Sequence, residues 1–373
     1  MELESLPAFD AYVAEHQTLS GVVVQGLDLR SREAVIVDLV CRGTVFLGCQ
    51  LTDASLRAVF EKGAMIFPRI EHVPYHPYRG ALYSVEELMA GYERGNRSSF
   101  EARTHDARIY ADYQRSRSDG PPPIIDALAQ RLHDQAIDDG LDDLLHGAED
   151  RRVVGIMGGH ALGRRDDAFA RVVTIAKELT EAGYFVATGG GPGAMEAGNL
   201  GAYLAGHPAE AVDQAVGVLS AAQTYKDPAW FDSAYEVRDR FTVGAESLAI
   251  PTWFYGHEPS NLFATHIAKY FSNSLREDGL LALSTHGVIY APGSAGTIQE
   301  IFMDAAQNHY GTFKVVSPMI FFGARYWTED KPVFPVLQDL ATGKQYADML
   351  TITDDIGAAV EFIRQHPPVP YRG

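Results

Sequence analysis

Pro292-Gly293-Ser294-Ala295-Gly296-Thr297-Ile298-Gln299-Glu300 follows the apolar run Gly287-Val288-Ile289-Tyr290-Ala291 and precedes a helical pattern over 298–308. The apolar run predicts a strand buried in a parallel sheet. Small residues then turn the chain directly into the helix. Such a turn presents unpaired backbone N–H groups at the positive end of a helix, which suits a phosphate. Gly293 and Gly296 let the backbone approach an anion closely, and Thr297 adds a hydroxyl donor. Glu300 lies one helical turn beyond Gly296, so its carboxylate reaches the same cleft. It is either a capping acid or a group that works on a sugar attached to the phosphate.

A second stretch has the same grammar. Thr188-Gly189-Gly190-Gly191-Pro192-Gly193-Ala194-Met195-Glu196-Ala197 follows the apolar run 184–187 and opens another helix. One glycine-rich turn is common in α/β proteins, and two in one domain are a far more specific signal. The pair, Gly-Gly-Gly-Pro-Gly-Ala-Met-Glu-Ala followed by Pro-Gly-x-x-Gly-Thr-x-x-Glu, resembles the Lonely Guy (LOG) family, many of whose members carry the label lysine decarboxylase. The resemblance covers roughly 151–322 and fades towards 366. It implies a Rossmann-like fold, a homo-oligomer built from dimers, and cleavage of a nucleoside 5′-monophosphate into free base and ribose 5-phosphate. AMP or a modified adenine nucleotide, including the cytokinin type, is the substrate it suggests. It implies no metal and no cofactor.

The composition fits that class. The chain has 373 residues, 46% of them apolar, enough for a full core and more than one domain. Lys and Arg number 31 against 49 Asp and Glu, a net charge of −18. Such a surface repels nucleic acid and anionic membranes, although it also serves plain solubility. A nucleic-acid polymer and a membrane are therefore not expected as partners. Cys41 and Cys49 are the only cysteines. No Cys-x-x-Cys pair is present, so a structural zinc site is not expected. Two scattered cysteines fit a reducing cytoplasm, with a disulfide between them as the open alternative. The start, Met1-Glu2-Leu3-Glu4, lacks the basic and apolar segments of a signal peptide, and no run reaches the ~20 apolar residues of a membrane span.

Three regions are expected. Residues 1–95 read as a small α/β unit with strands over 21–29, 44–51 and 64–70, a helix over 52–62 and a tyrosine-rich loop over 75–83. Residues 96–150 read as a helical connector, with helices over 98–116 and 124–146 separated by Ser118-Asp119-Gly120-Pro121-Pro122-Pro123. Ile125, Leu128, Leu132, Leu141, Leu144 and Leu145 are the apolar positions of the second helix, 138–143 is a solvated acidic face, and His105-Asp106 is a surface pair. Residues 151–373 read as a doubly wound parallel sheet. Its strands are expected over 153–157, 185–188, 215–219, 249–255, 287–291, 315–322 and 349–353. Its helices are expected over 168–182, 194–205, 262–283, 298–308 and 356–365, and the segment 225–240 gives no clear pattern. The fold class is α/β, Rossmann-like, with an additional amino-terminal α/β and helical region.

By resemblance, Glu300 is the catalytic glutamate. The family also uses an arginine on the preceding helix. Arg276 is the one arginine there, one residue closer to the amino terminus than the family spacing, with Lys269 as the substitute. Gly293, Ser294, Gly296 and Thr297 are the phosphate contacts, Ser294 and Ala295 standing where the family has a glycine and a larger residue. Gly158, Gly159 and His160 line the pocket after the first strand of the domain. Gly190, Gly191 and Gly193 shape the cleft, Met195 adjoins base or sugar, and Glu196 binds a ribose hydroxyl or serves as a helix-terminal acid. The segment 253–261 has groups suited to a base, and core packing accounts for Trp253 equally well.

Rival readings follow. A non-enzymatic nucleotide-binding or sensor protein, with the first 150 or so residues as its output module, is the main alternative. A pyridoxal-phosphate decarboxylase lacks a Ser-x-His-Lys type lysine motif. A dinucleotide oxidoreductase would need Gly-x-Gly-x-x-Gly after the first strand, and Gly158-Gly159-His160-Ala161-Leu162-Gly163 lacks that spacing.

Overall fold

The computed structural model describes residues 1–147 and 150–372. Positions 148 and 149 of the expected connector, and 373 at the end of the expected domain 151–373, lie outside the described residues. The chain divides into two compact units, Met1–Leu82 with Ala111–Leu144 and Tyr83–Tyr110 with Leu145–Gly373. The connector drawn over 96–150 is thus shared between them.

In the first unit, β1 (Glu2–Leu3), β2 (Val23–Gln25), β3 (Val45–Leu47) and β4 (Met65–Phe67) form a parallel sheet in that order. Helices α1 (Leu6–His16), α2 (Glu33–Ile36) and α3 (Asp53–Glu61) alternate with them. Ser5 and Thr52 cap α1 and α3 through their hydroxyls, which accept from Ala8 N and Ser55 N. The strands are shorter than expected because glycines at positive φ close both ends of β2 (Gly21, Gly26) and β3 (Gly43, Gly48). Phe9, Val24, Ile36, Phe46 and Val59 form a fully buried core.

Four helices follow: α4 (Val85–Leu88), α5 (Ser98–Arg103), α6 (His105–Arg115) and α7 (Ile124–His146). The helix expected over 98–116 breaks at Thr104, whose extended backbone ends α5 and whose hydroxyl caps the next helix by accepting from Ala107 N. The buried side of α7 corrects the expectation in its first half, while Leu141 and Leu145 are buried as expected. Ile125 and Leu128 are nearly half exposed, whereas Gln130, His133 and Asp134 are buried beside Ala129 and Ile137. Their polar atoms are satisfied locally: His133 Nδ1 lies 3.2 Å from Asp134, and Gln130 Oε1 accepts from Arg117 at 2.8 Å. Within the acidic run 138–143, Asp142 and Asp143 are exposed as expected, while Asp139 is half-buried and lies beside Glu2 and Glu4.

The second unit continues in chain order as β5 (Val153–Met157), α8 (Asp167–Glu181), β6 (Phe185–Thr188), α9 (Ala194–Tyr203), α10 (Glu210–Leu219), α11 (Trp230–Arg240), β7 (Leu248–Ala249), β8 (His266–Ile267), α12 (Asn273–Leu283), β9 (Val288–Tyr290), α13 (Ala295–Tyr310), β10 (Val315–Val316), β11 (Met319–Phe322), α14 (Val333–Ala341), β12 (Leu350–Thr353), α15 (Ile356–Gln365) and β13 (Val369–Pro370). Seven strands make one parallel sheet in the order β12-β11-β9-β5-β6-β7-β8, and β10 pairs with β13 as a separate antiparallel ribbon. Helix α8 packs with α9, α10 and α15, while α13 packs with α12 and α14. This is a Rossmann-like, doubly wound α/β sheet. From β5 the chain runs to β6 on one side and later to β9 on the other. The strand order therefore reverses at β5, where such sheets bind ligands beyond the strand carboxyl ends.

Four expectations are corrected here. The strand expected over 215–219 is the end of α10, since Ala211, Val212, Ala215 and Leu219 recur at helical spacing and are all buried. The strand expected over 249–255 ends at Ala249, two residues before Pro251, which has no N–H for a ladder. The helix expected from 262 begins only at Asn273, because the preceding stretch is extended and Ile267 pairs with both Ala249 and Tyr83. Pro318 separates β10 from β11. The unassigned segment 225–240 supplies α11. No helix among the described residues is long and apolar enough to cross a membrane, and both cysteines are free thiols.

Candidate functional site

The turns after β5, β6 and β9 enclose a cavity of about 270 Å³. One wall is the start of α13. Ser294 stands at its N-cap but makes no side-chain cap hydrogen bond, and its first turn contains no acid. The first turn of this helix therefore gives its terminal N–H groups neither a side-chain cap nor an acid, and Ser294, Ala295, Gly296 and Thr297 line the cavity. Gly293 lies just behind. Its carbonyl accepts from Tyr326 Oη at 2.6 Å, and the neighbouring Pro292 carbonyl accepts from Gly159 N at 2.9 Å, which ties this turn to the one after β5. Gly158 and Gly159 line the cavity with His160.

Glu300 is the carboxylate of this wall, its side chain 14% exposed, and Arg276 Nη1 lies 3.6 Å from its Oε1. Arg276 points into the cavity despite its shifted position in the sequence. Helix α12 is continuous through Gly279, and Arg276 Nε donates to the Ile250 carbonyl at 2.9 Å, which fixes the guanidinium across the cleft. Burial pushes the Glu300 carboxyl up to about 7, with Arg276 opposing and Glu277 adding to the rise. One turn further on, burial pushes Asp304 up to about 7 as well, against the Tyr290 hydroxyl that donates to it at 2.7 Å.

The first glycine turn contributes Gly189, Gly191 and Met195 to the lining. A side chain at Gly189 would strike Arg276 Nη2, so this position must stay bare for the arginine to pass. Gly190 and Gly193 stand outside the cavity. Gly190 N donates to Thr188 Oγ1 at 3.0 Å and its carbonyl accepts from Asn261 N, while Gly193, at φ 72°, presses against the Gly159 carbonyl. Glu196 is a correction. It is fully buried and held by Arg164 through two hydrogen bonds of 3.0 and 2.5 Å, so it has no path to a ribose. Lys269 is a second correction, since it is buried in an ion pair with Asp106 at 2.8 Å and does not line the cavity.

The far wall comes from Pro251, Thr252, Tyr255, Glu258 and Pro259. The segment expected to suit a base thus reaches the cavity through Tyr255, Glu258 and Pro259, and of the two readings left open for Trp253, core packing holds. Trp253 packs edge-on against Tyr83 and its Nε1 donates to Asp106 at 2.8 Å. Asp106 is therefore no surface residue. It is 2% exposed and gathers Trp253, Lys269 and His257 behind the wall. Burial alone would raise its carboxyl, but Lys269 and His257 outweigh that and hold it below the usual carboxylate range. The His257 ring stacks between Phe100 and Tyr110, with centroids at 4.4 and 5.1 Å. Nearer the mouth, Tyr255 Oη donates to Glu277 at 3.1 Å and accepts from Asn273 at 2.9 Å.

The chain matches no protein-family model and no curated protein. Among solved structures it is similar to the Moco carrier protein of Chlamydomonas reinhardtii, at 14% identity, over 58% of this chain and 96% of that one, with a TM-score of 0.36. It is also similar to the molybdenum cofactor binding protein of the phototrophic bacterium Rippkaea orientalis, at 14% identity, over 58% and 96% of the two chains, with a TM-score of 0.35.

Proposed function

We propose that this cavity hydrolyses the N-glycosidic bond of a nucleoside 5′-monophosphate, giving free base and ribose 5-phosphate, the reaction implied by the resemblance to the LOG family. The observation that carries the proposal is the juxtaposition on one helix. Uncapped N–H groups open α13, and a mostly buried carboxyl raised to about 7 follows one turn later with an arginine beside it. In the reaction, phosphate sits on the N–H groups of the turn and on Thr297. Water adds at C1′ while the C–N bonding electrons leave with the base, which takes up a proton from solvent as the proton of the attacking water passes through Glu300 back to solvent. Ionised Glu300 takes a proton from that water and faces the positive charge growing on the sugar, help worth roughly 10²–10⁴ in rate. Arg276 draws the carboxyl towards its ionised form and supplies positive charge in a strongly acidic protein. AMP and modified adenine nucleotides are the first substrates to try, and an assembly built from dimers belongs to the same reading.

The test is an incubation of purified protein with a panel of 5′-monophosphates, following free base by chromatography, with Glu300→Gln alongside. Base release by the parent alone is expected. Tight binding without release would replace the hydrolase by a nucleotide-binding or sensor protein.

A further inference from the structure

Two carboxylates line the cavity, and the mechanism above uses only one. The second, Glu258, stands on the far wall, on the side of the first glycine turn. Its Oε2 lies 3.8 Å from where a Cβ on Gly191 would be, and that same Cβ would lie 2.8 Å from Met195 Cε. The missing side chain at Gly191 therefore keeps open the space between the Met195 thioether and the Glu258 carboxylate. Glu258 has no hydrogen-bond or ion-pair partner among the described residues.

The loop that presents it is held on both sides. His257 is wedged between Phe100 and Tyr110, and Pro259 and Ser260 are buried, with Ser260 Oγ accepting from Lys269 Nζ at 3.4 Å. The backbone that carries Glu258 is thus held in place, and only its own side chain is left for a ligand to order. The other acid assigned to the sugar, Glu196, is consumed by Arg164.

We propose that Glu258 is the specificity residue of the cavity and selects a nucleotide that offers two adjacent hydrogen-bond donors. The proposal rests on the nucleotide reading of the site. A carboxylate presents two acceptor oxygens and no donor. The guanine N1–H and 2-amino group match it, and so do the vicinal hydroxyls of a ribose. The Watson–Crick edge of adenine offers one donor beside a ring-nitrogen acceptor and would face the carboxylate lone pair to lone pair. An adenine preference, as the family resemblance suggests, therefore requires Glu258 to hold the sugar instead.

The experiment is calorimetric binding of GMP, AMP and 2′-deoxy-GMP to the full chain carrying Glu300→Gln, with and without Glu258→Gln. The amide turns one of the two acceptors into a donor. It should lower either the GMP-to-AMP preference or the ribo-to-deoxy preference by about ten-fold or more, the loss expected for a charged hydrogen bond. The first outcome assigns Glu258 to the base edge and the second to the diol. Glu258→Asp, which keeps both oxygens, should retain more of the preference than Glu258→Gln. Both preferences unchanged in Glu258→Gln overturn the proposal, as does a protein that binds none of the three. Base release by the parent with unchanged preferences sinks Glu258 alone. A preference lost in Glu258→Gln together with no base release by the parent sinks the hydrolysis and keeps Glu258.

Discussion

Glu196 and Glu300 occupy parallel places in the chain. Each lies early in a helix that a glycine-rich turn opens after a buried strand. Arg164 meets Glu196 with two nitrogens, Nε and Nη2, and the pair is 1% exposed on each side. Arg276 meets Glu300 with one nitrogen at 3.6 Å, because its Nε is committed to the Ile250 carbonyl. The difference teaches how one local motif yields an acid locked in place and an acid whose proton is held loosely. A bidentate partner satisfies a buried carboxylate and locks it, and a partial partner leaves its charge negotiable. The helix starts differ in the same sense. Helix α9 carries Glu196 in its own first turn, and α13 carries no acid there, which leaves its positive end for a ligand.

The largest expected effect breaks the structural half of the comparison. Arg164→Ala leaves Glu196 buried without its partner and should destabilise the protein by about 3–5 kcal/mol in denaturant unfolding. Arg276→Ala should cost far less, and equal losses at the two positions would erase the contrast. Next, Glu300→Gln should lower turnover by about two orders of magnitude or more while nucleotide binding stays nearly intact. Unchanged turnover would remove Glu300 from the mechanism.

The pH dependence sharpens the same contrast. A carboxyl with its proton held to about 7 in the folded protein, against 4.5 ordinarily, makes the folded state bind more protons across that window. The stability present at low pH is therefore lost as pH rises from 4.5 through 7. Asp304 shares the window, so the difference between parent and Glu300→Gln isolates Glu300. It should be on the order of 1–3 kcal/mol in favour of the variant at pH 8 and should vanish at pH 4. Because the base must be ionised, parental kcat/KM should rise through about pH 7. A flat profile would detach the raised carboxyl from the chemistry. The smallest effect is at the anion wall. Thr297→Ala should raise KM for the monophosphate by about ten-fold with kcat little changed, and the parent should be slow on the free nucleoside. Equal rates on AMP and adenosine would exclude a phosphate anchor.

Much of this was legible in the chain. Buried strands followed by small residues and an amphipathic helix are local signals, and they placed β5, β6, β9, α8, α13 and α15 along with the cleft between them. Strands of two residues, as in β7 and β8, are too short to carry a period, and α10 read as a strand because its last turn is Val-Gly-Val-Leu. The fates of the two glutamates were not legible. Arg164 lies 32 residues before Glu196, and nothing in the spacing announces that they meet. Asp106 was hidden for the same reason, since its bond to Trp253 joins residues 147 apart. Tyr255 and Glu258 were found only as members of a polar, aromatic segment, because a loop shows no periodicity from which a facing side could be read.

The bond between Asp106 and Lys269 links residues 163 apart and bears on how this protein can be inherited or taken apart. The glycine turns, Glu300, Arg276 and Glu258 all lie after Arg151, so that stretch looks like a portable module. Taken alone it would carry the Lys269 ammonium into an apolar interior with no carboxylate to meet it, a penalty of several kcal/mol. It would also lose Phe100 and Tyr110, between which His257 is clamped. A transplant of the cavity must bring 83–110 with it. Any gene fusion or duplication that joins at Arg151 must replace Lys269 by a neutral residue before the loop bearing Glu258 can settle.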